Sequence, residues 1–233
     1  MKKLLITIML MPVLIFAYTF EKFGFKDFKI KTYCDKVLVY PYQYRCYDYK
    51  LRSPRVVLYY INYKVDVTNY KKRLSFKEDK NIPDKYQNKL ICYYKSGKDR
   101  GHMANDADYD YNLTILKTTY LTSNIVPMSP RLNRYVLRRY ENYERKIAFD
   151  NDVVVLMGVI PSNKRLKNNQ NCANIPKYVY KVIFIKVNNE YKFDFAVVID
   201  QQGNVKEIKD FRELKSFLHR NKIYLYSDSL FWR

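Results

Sequence analysis

Residues 98–106 read KDRGHMAND. His102 stands there behind Arg100 and Gly101, with Asp99 and Asp106 on either side. Imidazole titrates near neutrality, so a neutral histidine can take a proton from water, and the planar guanidinium fork of arginine matches phosphate oxygens. Hydrolysis of a phosphodiester asks for both groups. It also asks for positive charge near the leaving oxygen, which a metal ion with bound waters supplies. Magnesium takes oxygen ligands and keeps several waters, so one protein oxygen is enough to fix it.

A second set lies further along the chain. Asn133, Leu137, Glu141 and Arg145 recur every four residues. On a helix such positions form one slowly drifting row. Asn133 offers a neutral amide oxygen to a metal, Glu141 an acceptor for metal-bound water, and Arg145 a phosphate contact. Spacing alone fits an ordinary surface ion pair between Glu141 and Arg145 equally well.

Taken together, KDRGHMAND, LTSNIVPMSPRLN and ENYER resemble the DNA/RNA non-specific endonuclease family, a branch of the ββα-metal nucleases. The family signature Asp-Arg-Gly-His is here Asp99-Arg100-Gly101-His102. A Ser-Asn-Ile-x-Pro strand end follows at 123–127, then Leu132-Asn133, Glu141 and Arg145, in the family's order and at its intervals. The resemblance implies that His102 is the general base, that Asn133 holds one Mg²⁺ (or Mn²⁺), and that Glu141 holds a metal-bound water. It implies that Arg100 and Arg145 act on the scissile phosphate, and that Asn124 fixes His102 or the motif backbone and borders the substrate. Asp99 is expected to hold the motif in place. The implied products carry 5′-phosphates, and the implied substrates are DNA and RNA. Many relatives have Pro at the position of Asn105, Gln at that of Met128, and a large residue near Asn133; these departures touch loop shape and substrate preference.

These side chains need a scaffold. The family architecture implies an antiparallel hairpin carrying the histidine, crossed by the helix carrying the asparagine, with a ββα-metal core over about residues 90–150. Independently, Val37–Tyr40, Tyr44–Leu51 and Arg55–Asn62 read as strands from their β-branched and aromatic content. The segment 70–89 reads as a charged loop, DKYQNKLICYY as a short helix or strand, and Tyr120–Val126 as a strand. Ser129-Pro130 opens a helix to about residue 149. DVVVLMGVI at 152–160 suits a strand buried on both faces. Tyr178–Val187 and Tyr191–Ile199 flank a tight turn, and Asp210 caps a helix to Arg220. The fold class is α+β: an antiparallel sheet core with a ββα-metal element and a few helices, in a single domain over 18–233.

Composition sets the outer bounds. The chain has 233 residues, 48% of them hydrophobic, which excludes a disordered chain. Its net charge is +20, a surface for polyanions, though coding bias toward Lys, Asn, Ile and Tyr contributes. Residues 1–17, with Lys2 and Lys3, an apolar run and Ala17, follow signal-peptide grammar, and the run is too short for a stable span. Export to the periplasm or medium is therefore expected. Cys34, Cys46, Cys92 and Cys172 then read as two disulfides with three connectivities. We favour Cys34–Cys46, which closes a local hairpin, with Cys92–Cys172. No C-x-x-C pair suggests zinc. Asp106, Asp108 and Asp110 alternate like part of a calcium loop, but the required glycine and twelfth-position Glu are missing. His219 suits a helix C-terminus. Most of the 25 tyrosines suit strands and core. The rival to a nuclease is a non-catalytic surface binder of nucleic acid, as in DNA uptake. Monomer and homodimer are both open, and a toxic nuclease would need an inhibitor protein before export.

Overall fold

In the computed structural model the described residues are 18–20, 25–61, 70 and 73–226. The segment read as a signal peptide lies outside them. The strands run β1 (Tyr18–Phe20), β2 (Phe25–Lys31), β3 (Lys36–Tyr40), β4 (Gln43–Asp48), β5 (Ser53–Ile61) and β6 (Asp99–His102). Helix α1 (Leu113–Thr119), strand β7 (Ile125–Met128) and helix α2 (Arg138–Ala148) follow. Strands β8 (Val153–Ile160), β9 (Tyr178–Val187), β10 (Glu190–Asp200) and β11 (Val205–Ile208), helix α3 (Phe211–Arg220) and β12 (Tyr224–Tyr226) complete the order.

A seven-stranded sheet in the order β11-β10-β9-β8-β5-β4-β3 is antiparallel throughout. Side chains alternate across it as the pleat requires. Val154, Leu156, Val182 and Phe184 face a core shared with Leu214 and Leu218 of α3. Val153, Val155, Met157 and Ile183 face a second core with Val126, Leu132 and Leu137. Strand β8 is thus buried on both faces, as its unbroken apolar run predicts. Two-sided burial makes this sheet the middle layer of three.

The hairpin β9–β10 turns at Asn188-Asn189, whose φ values of 52° and 65° give the twist of a two-residue hairpin loop. Asp210 caps α3 by accepting from Glu213 N at 2.9 Å. Ser129 Oγ accepts from Leu132 N at 3.1 Å and so starts the long helix. Both disulfides, Cys34–Cys46 and Cys92–Cys172, are formed.

Two expectations need correction, and one element is new. The expected strand at Tyr120–Val126 is a 3-10 turn at Thr122–Asn124 followed by β7, because Asn124 is used to brace a neighbouring loop. DKYQNKLICYY forms two 3-10 turns, Asp84–Tyr86 and Leu90–Tyr93, with a disulfide at Cys92. Helix α1 was not anticipated, being seven residues with three threonines, and it depends on Asn112, whose Oδ1 accepts from Thr114 N and Ile115 N.

Candidate active site

The histidine strand is short and tightly constrained. Strands β6 and β7 pair antiparallel, Asp99 with Met128 and His102 with Ile125. Gly101 faces the Met128 side chain so closely that any Cβ there would collide with it. Just past β6, Met103 N donates to Asn124 O at 2.8 Å. The Asn124 amide accepts from Ala104 N at 3.0 Å and donates to Ala104 O at 2.8 Å and Thr119 O at 3.0 Å. Asn124 is fully buried. It clamps the loop behind His102.

His102 sits in an aromatic box. Its ring centroid lies 5.0 Å from Phe76 and 5.0 Å from Tyr120, and Phe76 and Tyr120 are 5.1 Å apart. Nε2 is buried without a hydrogen-bond partner among the described residues. Burial pushes the imidazole pKa down to about 4, with Arg73, Arg45 and Arg100 adding repulsion and Asp106 opposing it. At neutral pH this histidine carries no proton to spare and can accept one. Asp106 itself is held below the usual carboxylate value: burial works the other way, but His102 and the Tyr120 hydroxyl outweigh it. Arg100 is exposed, with its guanidinium 4.9 Å from the Phe76 ring.

Asp99 connects this strand to the helix. It accepts from Asn133 Nδ2 at 3.1 Å and from Arg134 through Nε at 2.8 Å and Nη2 at 2.7 Å. The Arg134 bonds hold its carboxyl below the usual range. A carboxylate only accepts, so it fixes the Asn133 amide with nitrogen inward. That leaves Oδ1 as the amide atom available to a cation.

The helix does not wind uniformly. Leu132–Leu137 is a π-helix, and α2 continues from Arg138. Eight residues of α-helix would set Asn133 and Glu141 about 80° apart around the axis. A turn closed i→i+5 is wider, so Asn133 to Leu137 falls short of a full turn while Leu137 to Glu141 overshoots one. The offsets oppose, and Asn133 and Glu141 come close to one line.

Glu141 is part-exposed at its surface, yet loss of water raises its carboxyl to about 7. Lys181 and Arg145 pull it down; Glu144 and Asp106 push it up. Arg145 Nη1 lies 3.4 Å from Oδ1 of fully buried Asp108, and Nη2 donates to Asn142. Burial, then Glu144, raise the Asp108 carboxyl well above its ordinary value. The structure therefore links His102 to Asp106, Asp106 to Glu141 and Glu141 to Arg145 electrostatically, and ties Asn133 to the histidine strand through Asp99.

One part of the site left no signal in the motif. Lys181, on β9, is 1% exposed and donates to Glu144 Oε2 at 2.6 Å and to Tyr59 OH at 3.0 Å. Tyr59 OH donates to Glu144 Oε1 at 2.8 Å. This buried array fastens the helix to the central sheet one turn beyond Glu141. A lysine within the apolar strand YVYKVIFIKV was the available cue. Phe76 and Tyr120 had no cue, because their ring contacts join distant segments.

The donor set fits a hard cation. Among the described residues no three His, Cys, Asp or Glu side chains converge as a metal cage. One amide oxygen with a nearby carboxylate suits an ion that keeps most of its waters. His219 lies outside the site, at the end of α3, with its ring 4.9 Å from Tyr224.

A histidine hairpin crossed by an asparagine-bearing helix, set against an antiparallel sheet, is the ββα-metal nuclease architecture. The chain belongs to the DNA/RNA non-specific endonuclease family, whose model matches residues 23–223. Human mitochondrial nuclease EXOG is 31% identical over 180 residues, 71% of this chain and 47% of that protein. The mitochondrial nuclease of Saccharomyces cerevisiae is 37% identical over 84 residues, 35% of this chain and 26% of that protein. The chain thus spans less than half the length of either relative. A chain of a crystallised EndoG/EndoGI complex shares the fold with a TM-score of 0.60 at 23% identity, covering 72% of this chain and 74% of that one.

Proposed function

We propose that this protein is an exported, metal-dependent endonuclease that hydrolyses DNA and RNA with little sequence preference. The observation that carries the reading is the Asp99 bridge, which locks the histidine strand to the helix bearing Asn133. His102, neutral at pH 7, takes the proton of the attacking water. The water oxygen bonds to phosphorus, the bond to the 3′-oxygen breaks, that oxygen takes a proton from solvent water to become the 3′-hydroxyl, and the 5′-phosphate stays on the downstream fragment. Asn133 Oδ1 would hold Mg²⁺ or Mn²⁺, and Glu141 would accept from a water beside it. That ion, when bound, supplies positive charge to the phosphate and the leaving oxygen. Arg100 and Arg145 meet the charge that develops on the phosphate. Contact through phosphates, which every sequence shares, explains indifference to bases.

The two disulfides and the leader-like residues 1–17 support export. The test is nicking of supercoiled plasmid with Mg²⁺ and with EDTA. The expected result is nicking with Mg²⁺ only, weakening as salt rises. His102→Ala should lose about 10²–10⁴-fold in rate while still binding DNA. Binding with no nicking by the wild type would instead favour a non-catalytic nucleic-acid binder, and wild-type-like cleavage by His102→Ala would remove the histidine from its role.

A further inference from the structure

Two loops beside the histidine strand carry cations and no acids. Residues 85–98 include Lys85, Lys89, Lys95 and Lys98 without Asp or Glu, and the β8–β9 loop, residues 161–177, carries Lys164, Arg165, Lys167 and Lys177 and is likewise free of acids. The Cys92–Cys172 disulfide joins these loops. On the joined surface Tyr94 is 61% exposed, although its neighbour Tyr93 is buried. Lys95 Nζ lies 5.4 Å and Lys167 Nζ 5.9 Å from the Tyr94 ring centroid. Both lysines hold left-handed backbone, φ 52° and 53°, a conformation uncommon for such side chains. The surface is therefore built, and its ring is kept out of the core.

The same platform reaches the site. Cys92, Tyr93 and Cys172 form a small apolar cluster against which Phe76 packs, and Phe76 is the ring that lies against His102 and beneath Arg100. Lys98, immediately before the motif, is pushed below the usual lysine value by burial and by Lys164 nearby, a sign of crowded positive charge. An exposed tyrosine between flexible lysines suits a polynucleotide whose phosphates meet the ammonium groups and whose base stacks on the ring. Only an unpaired base has a free face to offer.

We propose that the disulfide-clamped surface around Tyr94, Lys95 and Lys167 is a track for a single nucleic-acid strand leading to His102. This rests on the nuclease reading above and adds a strand preference to it. The test measures binding of an oligothymidylate of about 20 nucleotides, longer than one stacking module spans, and of a duplex of equal length. Binding is read in a His102→Ala background by fluorescence anisotropy. Tyr94→Ala should weaken single-strand binding roughly tenfold and duplex binding far less, and Tyr94→Phe should keep it. Lys95→Ala with Lys167→Ala should lower the salt slope of single-strand binding. Arg212→Ala, exposed on α3 behind the sheet, should change neither. Unchanged binding by Tyr94→Ala, while the otherwise wild-type protein still nicks plasmid, overturns the track and leaves the nuclease reading intact. Equal loss on single strand and duplex overturns the single-strand assignment. No nicking by wild type overturns the nuclease reading and with it the track.

Discussion

Replacing Lys181 by Met tests the buried array under α2. The ammonium is 1% exposed, 2.6 Å from Glu144 Oε2 and 3.0 Å from Tyr59 OH. Methionine fills similar volume but leaves the Glu144 carboxylate, 0% exposed, with the Tyr59 hydroxyl as its remaining partner in the array. Removing one member of a buried ion pair costs about 3–5 kcal/mol. For a domain of this size each kcal/mol lowers Tm by roughly 2–4 °C, so a drop of about 6–20 °C is expected. Thermal melts followed by circular dichroism measure it. Adding Glu144→Gln to Lys181→Met should recover a large part of the loss, because no uncompensated charge then stays buried. A Lys181→Met protein melting within about 2 °C of wild type would refute the reasoning, since so small a change is at odds with breaking a buried pair. The same substitution bears on chemistry. Lys181 pulls the Glu141 carboxyl down, so its loss should shift the acid limb of the rate profile to higher pH.

The acid limb of kcat/KM should lie near pH 7 and report Glu141, whose carboxyl is raised to about 7, and not His102 at about 4; Glu141→Gln should remove it, as plasmid nicking against pH will show. The stability difference between wild type and His102→Gln should move in the variant's favour as pH drops from about 6.5 toward 4, because over that window the unfolded wild type binds a proton at His102 that the folded one excludes, while Glu141, raised to about 7, acts in the opposite sense in both proteins; urea melts of the pair give the slope. Asn133→Ala and Asp99→Ala should both raise the Mg²⁺ concentration for half-maximal activity, the second by freeing the amide that Asp99 orients; an unchanged requirement in Asp99→Ala would refute that orientation. Removing the Cys92–Cys172 bridge by the paired Cys92→Ala and Cys172→Ala substitutions should destabilise the protein by about 2–5 kcal/mol, since it closes a long loop, and denaturant melts of the variant without reductant will read it.

The helix starts were legible because their caps act through local backbone, Ser129 at the start of the long helix and Asp210 at the start of α3. The two-faced burial of β8 and the β9–β10 hairpin followed from apolar runs and a turn of two asparagines. What escaped depends on contacts between distant segments. Phe76 meets His102 across 26 residues of chain, and Lys181 meets Tyr59 across 122. Spacing also suggested Arg145 as a solvent-facing cation; the pairing with buried Asp108 comes from a loop whose acids looked incidental. The π-helix was invisible as well, because nothing in LNRYVL distinguishes a wide turn from a normal one.

That wide turn divides the helix by stiffness. Its i→i+5 ladder is the less favourable one and therefore the easier to deform. Asn133 rides on it, whereas Glu141 and Arg145 ride on the regular helix bolted to the sheet through Glu144. With Asn133 in its proposed role, the amide end of the site would yield to ions of slightly different radius, and the charged end would stay in place while it did so.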